Sequence, residues 1–404
     1  MKILIIHYHH TSSINNNSEN LNILNDTIFA LDPRLKIFKF QPFEVKIFPL
    51  NCNEFINYYS RFLNFEFQPN RPESQVLTLL FKLLENHKPD IVYTTRPLDL
   101  PNSILKKLRK AWRKAKWVCY YGAQVSLPVK EAFSEYDHIV SGWKQIVNYL
   151  KKQNLNTSYL PHFYDEETVA NLLQKKPEKE YKITFAGALT HGGDEFVQRR
   201  KYLESISKKF KLTLFSQIPQ GYSAPFKSTK LRFQARLYDI AQKDSSLIAK
   251  FPVIRRYKNL TKRPKPEVFI SSKLTRIAKP PVFGSDYYET IMKSRIFLNS
   301  YIEFNACDGT LGPLCGNIRT FEVTGSGTCL LTQDASNIEE FFEPDRELVT
   351  FSTQESAVSK IKFLLDNPKE RENIASRGRK RALRDHTLEK RIPQLSEILE
   401  KKVL

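Results

Sequence analysis

Short apolar runs alternate with amphipathic stretches along most of this chain, and their spacing predicts two successive α/β units. Residues 2–6, 90–94, 116–121, 138–140 and 157–160 read as short, mainly apolar strands, as strands buried on both faces do. Between them, residues 73–86, 102–110 and 144–152 carry apolar side chains three and four apart, the period of a helix with one buried face. Right-handed crossovers put such helices on both faces of one parallel sheet. Turn residues and then charge at 161–174 mark a link. The alternation restarts with a strand at 181–185, a helix through Leu203 and a strand at 212–215, and resumes with a helix at 285–294 and a strand at 296–300. The expected fold class is α/β, with two doubly wound Rossmann-like domains facing a central cleft.

From Gly316 the pattern becomes a loop, a two-turn helix, a glycine stop at Gly325 and Gly327, and a buried strand from Thr328. Arg319 and Glu322 stand three apart and share a helix face. Two readings stay open from the residues alone. One is a surface Arg–Glu pair on a helix–strand unit. The other is a helix start at Asn317 aimed at a cleft, where free N–H groups and Arg319 hold a phosphate and Glu322 accepts from sugar hydroxyls.

A short helix at 337–342 with Glu339 and Glu340 follows, then a strand at 347–351 and an amphipathic helix at 355–365. Next come Asn367-Pro368-Lys369-Glu370-Arg371, Ile374-Ala375-Ser376-Arg377-Gly378 and His386-Thr387. In this order, residues 299–391 closely resemble the carboxyl-terminal domain of GT-B glycosyltransferases, specifically the CgeB-like (spore maturation protein-like) group. Weaker echoes are Tyr120-Tyr121-Gly122 with Val125-Ser126-Leu127-Pro128, Leu160-Pro161-His162, and Phe185-Ala186-Gly187. The resemblance implies an acceptor-side domain at 1–165, a nucleotide-sugar-binding domain at 166–385 with a basic insertion at 219–284, and a C-terminal helix at 386–404. It also implies sugar transfer from a nucleotide-sugar donor.

Glu322 matches the second glutamate of the paired-glutamate pattern of many retaining GT-B enzymes, where it holds the nucleotide ribose. The first glutamate would fall near Leu314 and is absent, which leaves retention or inversion open. The CgeB-like group commonly has the Asn-x-Arg-x-x-Glu form that Asn317, Arg319 and Glu322 make here. The glycine-rich loop from Gly187 through His191 to Gly193 follows the first strand of domain two and suits a diphosphate. Related enzymes often carry an Arg and a Lys near it. This loop has neither, which leaves Arg319, the helix start at Asn317, or Arg199 and Arg200 to meet the charge. On the acceptor side, His7 and His9 are candidate general bases if the reaction inverts. His10, Ser12, Ser13, Gly122 and Gln124 would share their rim, or pack beneath the loop. No local Asp, Glu or Cys completes a metal set with these histidines, so neither metal nor other cofactor is expected.

Composition fits and adds one feature. The 404 residues are 41% hydrophobic, enough for two cores, and no run has the length of a spanning helix. The apolar start is stopped by His7 and reads as a strand rather than a signal peptide. The five cysteines have no zinc-site spacing, as expected of reduced thiols in a cytoplasmic protein. Charge, however, is uneven. Residues 227–279 hold fifteen Lys or Arg against Asp239, Asp244 and Glu267, a net +12 of the chain's +20. Phe233, Leu237 and Ile240 add an apolar stripe, and residues 106–116 form a second basic run. An anionic membrane surface and a solvated helical insertion both fit this mixture. Nucleic acid is not favoured, because no recognisable binding module accompanies the charge. The reading is a peripheral enzyme on the inner face of the plasma membrane, acting on a glycan or lipid-linked acceptor in bacterial surface polysaccharide synthesis. A GT-B-type nucleotide-sugar epimerase and a non-catalytic basic scaffold are the alternatives.

Overall fold

The computed structural model describes residues 1–7, 20–66, 73–97, 100, 102–122, 133–189, 194–218, 270–301, 303–306 and 309–404. The first sheet holds six parallel strands: β1 (Lys2–His7), β2 (Glu44–Pro49), β3 (Ile91–Thr94), β4 (Lys116–Tyr120), β5 (His138–Ser141) and β6 (Thr157–Tyr159). Their order is β2-β1-β3-β4-β5-β6, so the winding reverses between β1 and β3. Ile3, Leu4, Ile5 and Ile6 of β1 are all buried, as a strand covered on both faces requires. The expected strands of this half are all present. β2 was not among them. Its Glu44 is exposed and only Ile47, Phe48 and Pro49 are buried, so an edge strand of mixed polarity hid its apolar signal.

The second sheet contains β7 (Tyr181–Ala186), β8 (Leu212–Phe215), β9 (Ala278–Lys279), β10 (Ser294–Asn299), β13 (Cys329–Gln333) and β14 (Val349–Phe351), with β11 (Glu303–Ala306) and β12 (Gly309–Pro313) forming a separate hairpin. Its order, β14-β13-β10-β7-β8-β9, reverses between β7 and β10, the dinucleotide-fold arrangement. Successive side chains enter opposite cores: Ile296 and Leu298 pack with Ile183 and Phe185, while Phe297 packs with Phe321 and Leu330. The basic insertion expected at 219–284 ends earlier. Ile270 and Leu274 are fully buried, the latter in helix Ser272–Ile277, and β9 completes the sheet. Most of the basic segment, residues 219–269, lies outside the described residues.

Two crossings stitch the halves together. Tyr164 donates its N–H to the His386 carbonyl at 3.1 Å, and Leu388 donates back to the Tyr164 carbonyl at 3.1 Å. Glu166 accepts from the N–H groups of Leu388 and Glu389 at 2.8 and 2.9 Å. Beyond this point helix Leu388–Glu397 returns to the first domain, where Leu388, Leu395, Ile398, Leu399 and Val403 enter its core.

Candidate active site

Between the domains lies a cleft of about 500 Å³, within the range of small-molecule sites. The second domain supplies most of its wall, from the ends of β7 and β8 and from helices Gly284–Met292 and Ile318–Gly325. The end of β7 borders the reversal of strand order, where open α/β sheets bind ligands. The first domain contributes Leu31, Asp32 and Arg34.

The helix Ile318–Gly325 forms where the sequence places it. Asn317 caps it: its Oδ1 accepts from the Thr320 N–H at 3.3 Å and from the Thr320 hydroxyl at 2.8 Å. At the far end Gly327 adopts φ +73°, a left-handed turn that a glycine takes without strain. Arg319 and Glu322, on one face, both line the cleft. Arg319 donates from Nη1 to Asn299 Oδ1 at 3.0 Å, and its guanidinium lies 5.4 Å from the Phe185 ring centre. A side chain at Gly187 would place its Cβ 2.8 Å from Arg319 Nη2, so the missing side chain is what admits the guanidinium at the end of β7.

Glu322 is 5% exposed. Burial pushes its pKa up to about 7, against the opposing pull of Arg319, Arg34 and a hydrogen bond from Tyr287. The Tyr287 phenol, also on the cleft wall, is itself held in its neutral form chiefly by burial. The site therefore combines a carboxylate that changes charge near neutral pH with two guanidinium groups.

Other expected residues take different places. Asn317 is not on the cleft wall. It exchanges amide hydrogen bonds with Asn299 at 3.1 and 3.2 Å, and Asn299 in turn holds Arg319, so Asn317 orients the cation through its neighbour. Arg199 donates to the carbonyls of Ala188 and Ser300 and to the Ser300 hydroxyl, and Arg200 donates to the Leu189 carbonyl. Both brace the turn after β7 and neither lines the cleft. His7 is 2% exposed, with Nδ1 sharing a 2.8 Å hydrogen bond with the Thr95 hydroxyl and Nε2 3.7 Å from Asp32 Oδ2. The ring sits behind Asp32, at the β1/β3 reversal, and off the cleft surface. Gly122 packs against the Trp143 ring. His9, His10, Ser12, Ser13, Gln124 and His191 lie outside the described residues.

The sequence reading missed Asp32, Arg34 and Tyr287. The Asp32-Pro33-Arg34 run does announce a helix start, with a capping Asp before a Pro at the first helical position. Nothing local tells that this start faces the other domain. Among the described residues, no group of three His, Cys, Asp or Glu side chains is placed to hold a metal ion.

A family model described as Glycosyl transferase-like matches residues 264–397. No curated protein sequence matches the chain. Solved structures similar to it include sucrose-phosphate synthase from Thermosynechococcus elongatus, at 9% identity and TM-score 0.55 over 99% of this chain and 98% of that one. HepE from Anabaena, in complex with UDP-glucose, is similar at 11% identity and TM-score 0.54, covering 99% of each chain. A glycosyltransferase from Rickettsia africae follows at 12% identity and TM-score 0.52, over 99% of this chain and 98% of that one. The chain has the GT-B fold.

Proposed function

We propose that this chain is a glycosyltransferase that binds a nucleotide sugar on the second-domain wall of the cleft and transfers the sugar to an acceptor presented by the first. The family match and the shared fold support that class. The observation that carries it to this site is the pairing of Arg319 and Glu322 on one cleft-facing helix, against the glycine turn that ends β7. In this reading Glu322 accepts hydrogen bonds from the ribose hydroxyls. Arg319 stabilises the diphosphate whose negative charge grows as the glycosidic bond breaks. The leaving group is met by cations of the chain without a divalent ion.

Membership of the CgeB-like group is proposed on the resemblance at Asn317, Arg319 and Glu322, and a glycan or lipid-linked acceptor of surface polysaccharide synthesis is the proposed partner. His9 is proposed as general base if the reaction inverts, and His10, Ser12, Ser13, Gly122 and Gln124 are proposed for the acceptor rim. His7 is reassigned from general base to support of Asp32. The basic segment is proposed to rest on an anionic membrane. Among the described residues no helix is long and apolar enough to cross one.

The test is a thermal-shift panel of UDP-, GDP-, ADP- and dTDP-sugars, starting with UDP-glucose because the Anabaena structure holds it. One nucleotide class should raise the melting temperature, and its sugar should then move to an added acceptor. Stabilisation by none would remove the proposal. Donor turnover without acceptor would favour the epimerase.

A further inference from the structure

The first domain reaches the donor wall of the cleft at one turn, between helices Leu21–Leu31 and Pro33–Lys36. Asp32, 3% exposed, accepts from the Arg34 N–H at 3.2 Å. It also takes two bonds from the Arg34 guanidinium, Nε to Oδ1 at 2.8 Å and Nη2 to Oδ2 at 2.6 Å. This is a side-on pair, made through Nε and Nη2. The Arg34 side chain is 42% exposed on the same cleft wall as Arg319 and Glu322.

Burying a carboxylate against a half-exposed cation is a poor way to gain stability, because the desolvation cost offsets much of the attraction. Its effect is to aim the guanidinium. Two further contacts fix that aim. Behind Asp32 stands His7, 3.7 Å away and hydrogen-bonded to Thr95 at the reversal of the first sheet. Beside Arg34, on the same short helix, Lys36 donates to both oxygens of Asp165 at 2.9 and 2.8 Å and to Glu167 at 2.9 Å, all in the entry to the second domain. The position of Arg34 relative to the second domain is therefore set by an ion cluster.

We propose that Arg34 is a second diphosphate-binding cation, supplied by the first domain, so that the donor's phosphates are gripped from both sides of the cleft. The proposal rests on the donor-site reading above. Among the described residues that line the cleft, Arg34 and Arg319 are the cations, since Arg199 and Arg200 are committed to carbonyls. A nucleoside diphosphate is too highly charged for one guanidinium to neutralise, and a forked donor on each side matches its two phosphates.

Calorimetry with UDP, GDP and ADP, and with the matching nucleosides, tests this on the wild type, Arg34→Gln and Arg34→Lys. Arg34→Gln should weaken the preferred diphosphate roughly ten- to a hundredfold, the value of a charge-assisted hydrogen bond, and leave the nucleoside within about twofold. Arg34→Lys should recover part of the loss. If Arg34→Gln fails to fold because Asp32 is left buried and unpaired, the double variant Asp32→Asn/Arg34→Gln removes both charges and should show the same selective loss. Equal diphosphate affinity in the wild type and in the folded variant overturns the role of Arg34 and leaves the donor site standing. Parallel loss of nucleoside binding overturns it too, by showing a general collapse of the cleft. Failure of the wild type to bind any diphosphate overturns both.

Discussion

Burial places the ionisation of Glu322 close to neutral pH, and that has consequences on two axes. Only the carboxylate accepts from both ribose hydroxyls, so donor affinity should rise as pH increases through about 7. Glu322→Gln should abolish this pH dependence and weaken donor binding by about 1.5–3 kcal/mol, read by calorimetry in a variant with a normal melting curve. A pH profile unchanged by the substitution would take Glu322 out of the site. The sign for stability is the opposite. The folded pKa is raised, so the contribution of Glu322 to stability is complete below its unfolded value near 4.5 and is lost as pH rises through about 7. Arg319→Ala should lower turnover more than Glu322→Gln does, because charge on the diphosphate grows toward the transition state. Transfer by the wild type should persist in excess chelator; abolition by chelator and rescue by magnesium or manganese would contradict a metal-free leaving-group site. At this scale the sequence was informative where two functional residues share one helix turn, as Arg319 and Glu322 do. Arg34 escaped it, because its relation to them runs between domains and leaves no periodic trace.

Helix Ile318–Gly325 is short, and its neighbours hold it by close backbone approach. A Cβ on Gly325 would lie 2.6 Å from the Tyr164 ring. A Cβ on Gly378, in helix Pro368–Asp385, would collide with the Glu347 carbonyl oxygen. That contact is with backbone and cannot be relieved by a rotamer change. Gly378→Ala should therefore destabilise the protein by about 1–3 kcal/mol, measured by urea unfolding. Donor affinity should fall with it, because the displaced helix also touches Thr324 on the helix that carries Arg319 and Glu322. Full stability in the variant would show that helix Pro368–Asp385 can move away from Glu347 without cost. Buried strands of uniform polarity were readable from the pattern to within a residue or two. Two of the edge strands, β2 and β9, were not: β2 is only half buried, and β9 is two residues long within a basic stretch.

Across the whole molecule the open question of charge becomes an experiment. If the segment 227–279 docks on lipid, the protein should bind anionic vesicles at low salt. It should release them as ionic strength passes 0.1 M, where the screening length is about 10 Å. Reversing Arg232, Arg236, Arg255 and Arg256 to Glu should abolish vesicle binding and leave nucleotide binding intact. Indifference of the wild type to anionic vesicles at low salt would rule out the membrane role. The two-domain layout was visible in the sequence because each alternation of strand and helix restarts after the link. The return of the last helices to the first domain was not, because an amphipathic helix does not name the surface it will cover.

That return constrains how the protein is made. Leu388, Leu395, Ile398, Leu399 and Val403 belong to the core built around β1, a strand that precedes the whole second domain in the chain. The opening domain must wait, with an apolar hollow uncovered, until the entire second domain has been synthesised. Expressed alone, residues 1–165 would keep that hollow permanently and should be prone to aggregate. The maturation of the first domain is thus tied to completion of the second, and a chain interrupted between them yields neither half of the cleft in working form.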